Sequence, residues 1–157
     1  MHLRFLFAFA PLFLFTAPVS AQSVTRVSVD SRGLQGGESS ATSSVSGRGR
    51  HVAFVSLAST FVPGDTNGKG DVFVYDRNNG TTTRVSVSSA GTEADADSLG
   101  PYVSENGRYV AFRSDATNLV PGDTNAQSDI FVHDRDTGTT VRASVRADGL
   151  QGNWDSY

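Results

Sequence analysis

The chain has 157 residues, a formal net charge of −3 at pH 7 and no cysteine. The acidic balance argues against a nucleic-acid-binding protein, because such proteins present a basic surface to the phosphate backbone. Without thiols the chain has no disulfides, no cysteine nucleophile and no cysteine ligands for structural zinc. Its stability must therefore come from packing, hydrogen bonds or bound ions.

The first 21 residues have the pattern of a secretory signal peptide. Arg4 supplies a positive charge, the run from Phe5 to Phe15 is apolar, and Ala21 is a small residue at the end of the segment. The apolar run is shorter than the roughly 20 residues that a membrane span needs. We therefore expect cleavage after Ala21, a secreted or periplasmic location, and no membrane span in residues 22–157.

An internal repeat of 58 residues organises the remainder of the chain. Residues 63–87, PGDTNGKGDVFVYDRNNGTTTRVSV, return at residues 121–145 as PGDTNAQSDIFVHDRDTGTTVRASV. A repeat of this length predicts stacked copies of one supersecondary unit. Apolar residues alternate with a period of 2, and Gly, Asn and Asp crowd the gaps between them, which predicts strands and turns only.

One repeat unit contains four predicted strands. In the second unit they are residues 101–104, 109–114, 129–134 and 139–145, with tight turns between the first and last pairs. Four antiparallel strands per unit, repeated radially, predict an all-β fold built of β-propeller blades. In the fourth strand we expect the apolar residues to face inward and the polar residues to face outward; the former are Val141, Ala143 and Val145, the latter Arg142, Ser144 and Arg146.

The repeat predicts one propeller region over residues 22–157. Its two whole blades are at about residues 39–88 and 97–146, a lone outer strand is at 24–29, and a third blade begins at 154–157. Propellers have typically 4–8 blades, so two blades form an incomplete ring. The sequence is either a fragment of a longer protein or a short chain of which several copies close a ring. An open blade exposes an apolar sheet, so we expect self-association through the open blade edges.

The repeat resembles the TolB-like, WD-repeat-like propeller repeat of bacterial secreted proteins. The matching strings are S-x-x-G-R-x-V-A-F, D-[VI]-F-V-x-D-R and T-T-x-R-x-S-V, each present twice; they start at Ser46 and Ser104, at Asp71 and Asp129, and at Thr81 and Thr139. The resemblance implies a non-enzymatic secreted or periplasmic scaffold that binds a protein or ligand, with a protein of the cell envelope as partner. An alternative that it also implies is the propeller portion of a larger prolyl oligopeptidase-like hydrolase.

The residues themselves offer no catalytic constellation. The sequence has no G-x-S-x-G motif to present a nucleophilic serine. After Ala21 the only histidines are His51 and His133, and the repeat aligns them with Tyr109 and Tyr75. A position that accepts either Tyr or His indicates packing rather than a general base. We therefore predict that the protein is not an enzyme.

Two copies of one acidic loop are the best candidates for a binding site. Oxygen ligands stand at the first, third and seventh positions, as in the start of a calcium loop; they are Asp65, Asn67 and Asp71, and then Asp123, Asn125 and Asp129. At the fifth position Lys69 and Gln127 depart from that pattern. The alternative is an Asx turn, in which the same side chains bond backbone amides. Calcium is thus the one cofactor that we consider. Besides the binding scaffold and the hydrolase propeller, the third functional hypothesis is a surface protein stabilised by calcium.

Other charged residues favour structural roles. We expect Asp76 and Asp134 to cap the hairpin that follows them or to pair with Arg77 and Arg135. The outer-strand arginines Arg26, Arg84 and Arg142 are expected to pair with acids or to lie in solvent. The acidic residues between the blades are expected to form a solvated patch; they are Glu93, Asp95 and Asp97.

Overall fold

The computed structural model describes residues 23–152 and residue 156. The predicted signal peptide, residues 1–21, lies outside this range, and so do residues 154, 155 and 157 of the predicted third blade. Within the described part of the chain, no helix has the length and hydropathy to cross a membrane.

Two four-stranded antiparallel sheets make up the fold. Blade 1 consists of β1 (Ser40–Val45), β2 (His51–Ser56), β3 (Asp71–Asp76) and β4 (Thr81–Arg84). Blade 2 consists of β5 (Ser98–Val103), β6 (Tyr109–Ser114), β7 (Asp129–Asp134) and β8 (Thr139–Arg142). The strands lie in chain order within each sheet. The protein is therefore all-β, and its sheets are two consecutive blades of an incomplete propeller, as the repeat predicts.

The hairpin turns depend on glycines with positive φ. Gly80 and Gly138 have φ angles of +71° and +73° and close the β3–β4 and β7–β8 turns. Their amides donate to the carbonyls of Asp76 and Asp134, both at 2.8 Å. A residue with a side chain is strained at such φ angles, so both turns favour glycine at this position.

The outer strand β8 is shorter than predicted and faces the other way. β8 ends at Arg142 because the Ser144 hydroxyl, rather than a backbone carbonyl, accepts the hydrogen bond from the Ile130 amide (3.1 Å). Val141 is 51% exposed, whereas the Arg142 side chain is only 11% exposed. The predicted inward valines and outward arginine were wrong, because the guanidinium group binds carboxylates inside the protein.

The predicted lone strand at residues 24–29 is also corrected. Residues 23–28 form no strand, and Val29 makes a single bridge with Gln35. A tight turn explains this local pairing, since the Gly33 amide donates to the Asp30 carbonyl (2.9 Å). This short hairpin lies on blade 1, where the Thr82 hydroxyl donates to the Val29 carbonyl (2.5 Å).

The first strand of each blade carries a bulge. β5 starts at Ser98, earlier than predicted, and its register with β6 shifts between Leu99 and Tyr102. Within the bulge Gly100 has a φ of +60°, and the equivalent residue of β1, Thr42, has a φ of +41°. A β-branched residue is strained at such an angle, so β1 carries local strain that β5 avoids.

The two blades pack front to back. We define the front face of each blade by its two phenylalanines, Phe54 and Phe73 in blade 1 and Phe112 and Phe131 in blade 2. The back face is the opposite side of the sheet. The back face of blade 1 and the front face of blade 2 form one hydrophobic core; it contains Ala53, Val55, Val72 and Val74 of blade 1 and Val110, Phe112 and Phe131 of blade 2. The front face of blade 1 has its own cluster, in which Phe61 packs edge-on against both phenylalanines.

Candidate functional site

An arginine–aspartate fork closes each blade at the end that carries the β1–β2 and β3–β4 turns, which we call the turn end. Arg50 donates through Nε and Nη2 to the two carboxylate oxygens of Asp76, at 2.9 and 2.6 Å. Arg108 makes the same pair of bonds to Asp134, at 2.9 and 2.7 Å. The Arg50 hydrogen bond lowers the pKa of Asp76 to about 2, and the Arg108 hydrogen bond lowers the pKa of Asp134.

These forks correct one prediction and confirm another. Asp76 and Asp134 do not pair with Arg77 and Arg135, whose Nη1 groups donate instead to the carbonyls of Gly49 (3.0 Å) and Gly107 (2.6 Å). Arg50 and Arg108 take that place because each immediately precedes the strand that pairs with the aspartate's strand. The predicted capping is confirmed, since Asp76 accepts from the Asn78 amide at 3.0 Å.

The opposite end of blade 1, which we call the loop end, holds a cluster of carboxylates around one arginine. Arg84 Nη1 lies 3.3 Å from Asp65, 3.1 Å from Asp71 and 2.9 Å from Glu93. The Arg84 side chain is only 9% exposed, and those of Asp65 and Asp71 are buried. The Ser86 hydroxyl also donates to Asp71. The predicted pairing of Arg84 with acids is confirmed, and the cluster joins β3, β4, the β2–β3 loop and the linker to blade 2.

Blade 2 repeats this cluster with one carboxylate fewer. Arg142 Nη1 lies 3.2 Å from both Asp123 and Asp129. In the position of Glu93 stands Gln151, whose side-chain oxygen accepts from Arg142 at 3.0 Å. The buried oxygens of Asp123 make no hydrogen bond, although the ion pair with Arg142 remains. Arg26 makes the corresponding bond to Gln35 and has no ion pair among the described residues.

Burial raises the pKa of two carboxyl groups at the loop end. For Asp65 the loss of solvent is the main cause, and the neighbouring Asp71 adds to the rise. For Asp123 the loss of solvent again dominates, and the Arg142 charge opposes it. Each cluster therefore places a buried carboxylate where its ionised form is disfavoured, in contrast to the turn end, where the forks favour ionised aspartates.

The residues of the predicted calcium loops lie within these two clusters. Asn67 holds the loop by donating to Asp71 (3.1 Å) and to the Ala94 carbonyl (2.9 Å), and its own oxygen accepts from the Lys69 amide (2.9 Å). Asn125 donates to the Gly152 carbonyl at 2.8 Å. No group of three or more His, Asp or Glu side chains arranged to hold a metal ion occurs within residues 23–152 or at 156. The positive charge beside these carboxylates is a guanidinium, and calcium stays a prediction.

The acidic residues between the blades are bonded to the loops, and Asp95 and Asp97 are also exposed to solvent. Besides Arg84, Glu93 binds the Thr66 amide (3.0 Å). Asp95 accepts from the Thr117 amide (2.8 Å), and Asp97 accepts from the Gly70 amide (2.8 Å). The exposure of Asp95 and Asp97 agrees with the predicted solvated patch, whereas the folding of the linker against the loops is not visible in a sequence pattern.

Both histidines are buried, as expected for packing positions. His51 lies against the backbone of Gly107 in blade 2, where an added Cβ would be 1.8 Å from the ring Nδ1. His133 Nδ1 bonds to the Thr140 hydroxyl at 2.9 Å. Burial lowers the pKa of each histidine, and the Arg135 charge lowers both further. Their imidazoles are therefore held neutral in the interior.

A cavity of about 820 Å³ opens between the two blades at the turn end. Its walls include Arg48, Arg50 and His51 of blade 1 and Glu105, Asn106 and Tyr109 of blade 2. The Gly47 amide donates to the Glu105 carbonyl (3.1 Å), which fixes the two turns relative to each other. The volume lies in the range of roughly 300–1,000 Å³ that is common for ligand sites. Sequence reasoning missed this site, because most of its wall residues differ between the repeats, as Arg48 differs from Asn106 and His51 from Tyr109.

No family model and no curated protein matches the chain. Among solved structures, a putative TolB from Agrobacterium tumefaciens is similar at 20% sequence identity and a TM-score of 0.44, over 66% of this chain and 29% of that chain. TolB from Acinetobacter baumannii is similar at 16% identity and a TM-score of 0.42, over 66% of this chain and 21% of that one. The chain thus spans less than a third of either protein. The blades are assigned from the two sheets and not from these likenesses.

Proposed function

We propose that the protein is a non-enzymatic binding scaffold, secreted or periplasmic, whose protein partner docks at the turn end of the two blades. The cavity between the β1–β2 and β5–β6 turns carries this proposal. It offers hydrogen-bonding and charged side chains together with the exposed ring of Tyr109. Arginine and tyrosine are enriched among the residues that dominate protein interfaces.

The walls of the cavity are fixed in advance. Arg50 is held by its fork with Asp76, and Arg108 lies over the Tyr109 ring with its guanidinium carbon 5.0 Å from the ring centre. A site whose side chains are already ordered loses less conformational entropy on binding. Arg48 is not one of the residues that the two repeats share, because the aligned residue of blade 2 is Asn106.

The residues that repeat have another role. The forks and the arginine clusters use the residues of the repeated strings, and each of these residues bonds within its own blade or to the adjoining linker. They hold the blade together. Partner choice is therefore assigned to the residues that differ between the repeats and face solvent at the turn end.

Affinity purification from the envelope fraction of the producing cells tests this proposal. The bait is the full chain, compared with the variants Arg48→Glu and Tyr109→Ala. The matched control is Leu57→Asp, since Leu57 is exposed at the loop end and aligns with Asp115 in blade 2. We expect one partner to be retained by wild type and control and lost with both cavity variants. Equal recovery with all four baits overturns docking at the turn end.

Secretion has a separate test. Amino-terminal sequencing of the protein recovered from the periplasm or medium should start at Gln22, the residue after the predicted cleavage site. Recovery from the cytoplasm with Met1 retained would contradict the proposed location.

A further inference from the structure

The two back faces have the same sequence pattern but different surroundings. In blade 1 the residues Val72 and Val74 are fully buried, because blade 2 covers them. The repeat aligns them with Ile130 and Val132 of blade 2, which are only half-buried. Beside Ile130, Tyr102 is 75% exposed, and both line an open groove on this face. Blade 2 thus presents the surface that, in blade 1, receives another blade.

The front side of blade 1 shows the complementary difference. Val103 of β5 packs into the core between the blades, and β5 contacts β1, β2 and β3 of blade 1. The equivalent residue of β1, Val45, is 56% exposed. Five of the six residues of β1 are exposed. The front side of β1 in blade 1 is therefore uncovered among the described residues, whereas the equivalent side of β5 in blade 2 packs into the interface between the blades.

We propose that the protein associates head to tail, with the front side of blade 1 of one copy packed on the back face of blade 2 of another. Each copy would place β1 against β5, β6 and β7 of its neighbour, as β5 is placed against β1, β2 and β3 within the chain. Such an interface joins two different surfaces, so it continues until the ring closes. The described residues of one chain supply two blades, so two copies in contact already bring together four blades, the smallest number typical of a propeller.

A second copy is the favoured occupant because the interface it would make already exists once within the chain. Ala111, Ile130 and Val132 repeat the apolar back face of blade 1, with Ala53, Val72 and Val74 as their equivalents. The departures are Arg113 in place of Val55 and Tyr102 in place of Ser44. Ser44 accepts a bond from the Val103 amide across the blades (3.0 Å), so the contact between copies would lack that bond.

Light scattering on the full chain across about 1 to 100 µM tests the proposal. We expect a discrete oligomer of at least two copies rather than a monomer. Val45→Glu blocks the front side, and Tyr102→Glu blocks the back face. Either should raise the dissociation constant at least about tenfold, because a charge is then buried without a partner. Both sites are exposed in the single chain, so circular dichroism should match wild type, and so should melting at concentrations too low for wild type to associate. Leu57→Glu, at an exposed position that aligns with Asp115, is the control and should assemble normally.

Mixing the two blocked variants separates a head-to-tail contact from a two-fold contact. Each variant alone should be monomeric, but the mixture still has one intact front and one intact back and should form a dimer that grows no further. A two-fold contact between back faces predicts that Val45→Glu assembles normally and that mixing has no effect, and this result overturns the proposal. A wild-type monomer at all concentrations, with the back face covered by another protein or by nothing, also overturns it.

Discussion

The two blades share one set of bonds and differ in what surrounds it. Each has the fork at the turn end and an arginine among carboxylates at the loop end. Yet Glu93 supplies blade 1 with a carboxylate where blade 2 has Gln151, and among the described residues only the back face of blade 1 is covered. The comparison separates two groups of residues. Those that repeat form the ion pairs common to both blades, and those that differ determine how the two blades differ in stability and in contacts.

The largest expected effect is the loss of the central arginine. Arg84→Gln leaves Asp65, Asp71 and Glu93 buried or half-buried without their cation. Removing one partner from a buried ion pair costs about 3–5 kcal/mol, so we expect the free energy of unfolding to fall by that amount or the protein to unfold. Arg142→Gln should cost less, because it leaves only two carboxylates. Urea unfolding at neutral pH gives both values.

Glu93→Gln provides the control for this difference, since it converts the cluster of blade 1 into that of blade 2. In the Glu93→Gln background, Arg84→Gln should cost about as much as Arg142→Gln does in the wild type. If Arg142→Gln proves the more harmful of the two single variants, the number of carboxylates does not decide the strength of the clusters.

The covered and open back faces should also respond differently to the same truncation. Val74→Ala removes two methyl groups from the core between the blades, and we expect it to lower the free energy of unfolding by about 2 kcal/mol. Val132→Ala, at the aligned and half-buried position, should cost less than half of that. Equal costs at low micromolar concentration would mean that the back face of blade 2 is already covered. A cost of Val132→Ala that rises with protein concentration would agree with head-to-tail association.

The comparison also shows which parts of the fold the sequence determines. The predicted bounds of β6 and β7 are confirmed, because their continuous apolar runs are bounded by turn and loop residues on both sides. The bounds of β8 were wrong, since the alternation continues through Val145 while a serine side chain replaces the backbone acceptor after Arg142. A hydroxyl that competes with a backbone carbonyl leaves no mark in the hydrophobic pattern.

Of the loop-end cluster, the pairing of Arg84 with Asp71 was predictable from the sequence, and the contact with Glu93 was not. Asp71 and Phe73 lie on one face of β3, and the hairpin register pairs Phe73 with Arg84, so the arginine necessarily lies beside Asp71. That register follows from the turn at Gly80 and was available from the sequence. The contribution of Glu93 was not, because it depends on how the linker folds back, and the linker has no periodic pattern.

A smaller effect is expected from the backbone of the acidic loops. Gly68 has a φ of +62°, and the aligned Ala126 has a φ of +53°. A residue with a Cβ loses about 1–2 kcal/mol in the left-handed region. Gly68→Ala should therefore destabilise the protein by about 1 kcal/mol, and Ala126→Gly should be neutral or slightly stabilising, because the greater entropy of an unfolded glycine offsets the relief. Thermal melting measures both, and a marked destabilisation by Ala126→Gly would contradict the comparison.

The carboxyl groups of the two ends should give opposite pH dependences. Asp65 and Asp123 have raised pKa values, so their contribution to stability is present below the ordinary value of 3.8 and is lost as the pH rises through the folded pKa. Relative to wild type, Asp123→Asn should therefore gain stability as the pH rises from about 3.5 to 7. The pKa of Asp76 is lowered to about 2. Its contribution to the free energy of unfolding is therefore fully present above the ordinary pKa of 3.8 and is lost as the pH falls from there through the folded pKa of about 2. Asp76→Asn should therefore cost most near neutral pH. Urea unfolding over a pH series measures these slopes, and parallel slopes for the two variants would contradict the assignment.

Calcium is expected to have the smallest effect on the wild-type protein and a larger one once Arg84 is removed. The guanidinium group and a calcium ion would compete for the same carboxylates, those of Asp65 and Asp71. A ligand that binds only the folded state at 100 times its dissociation constant adds about 2.7 kcal/mol, so binding is easily seen as a higher melting temperature. We expect a larger rise between chelator and calcium for Arg84→Gln than for wild type, and the added substitution Asp71→Asn should abolish it. A rise of several degrees in the wild type, lost with Asp71→Asn, would establish the calcium loop and show that the ion is bound despite the arginine.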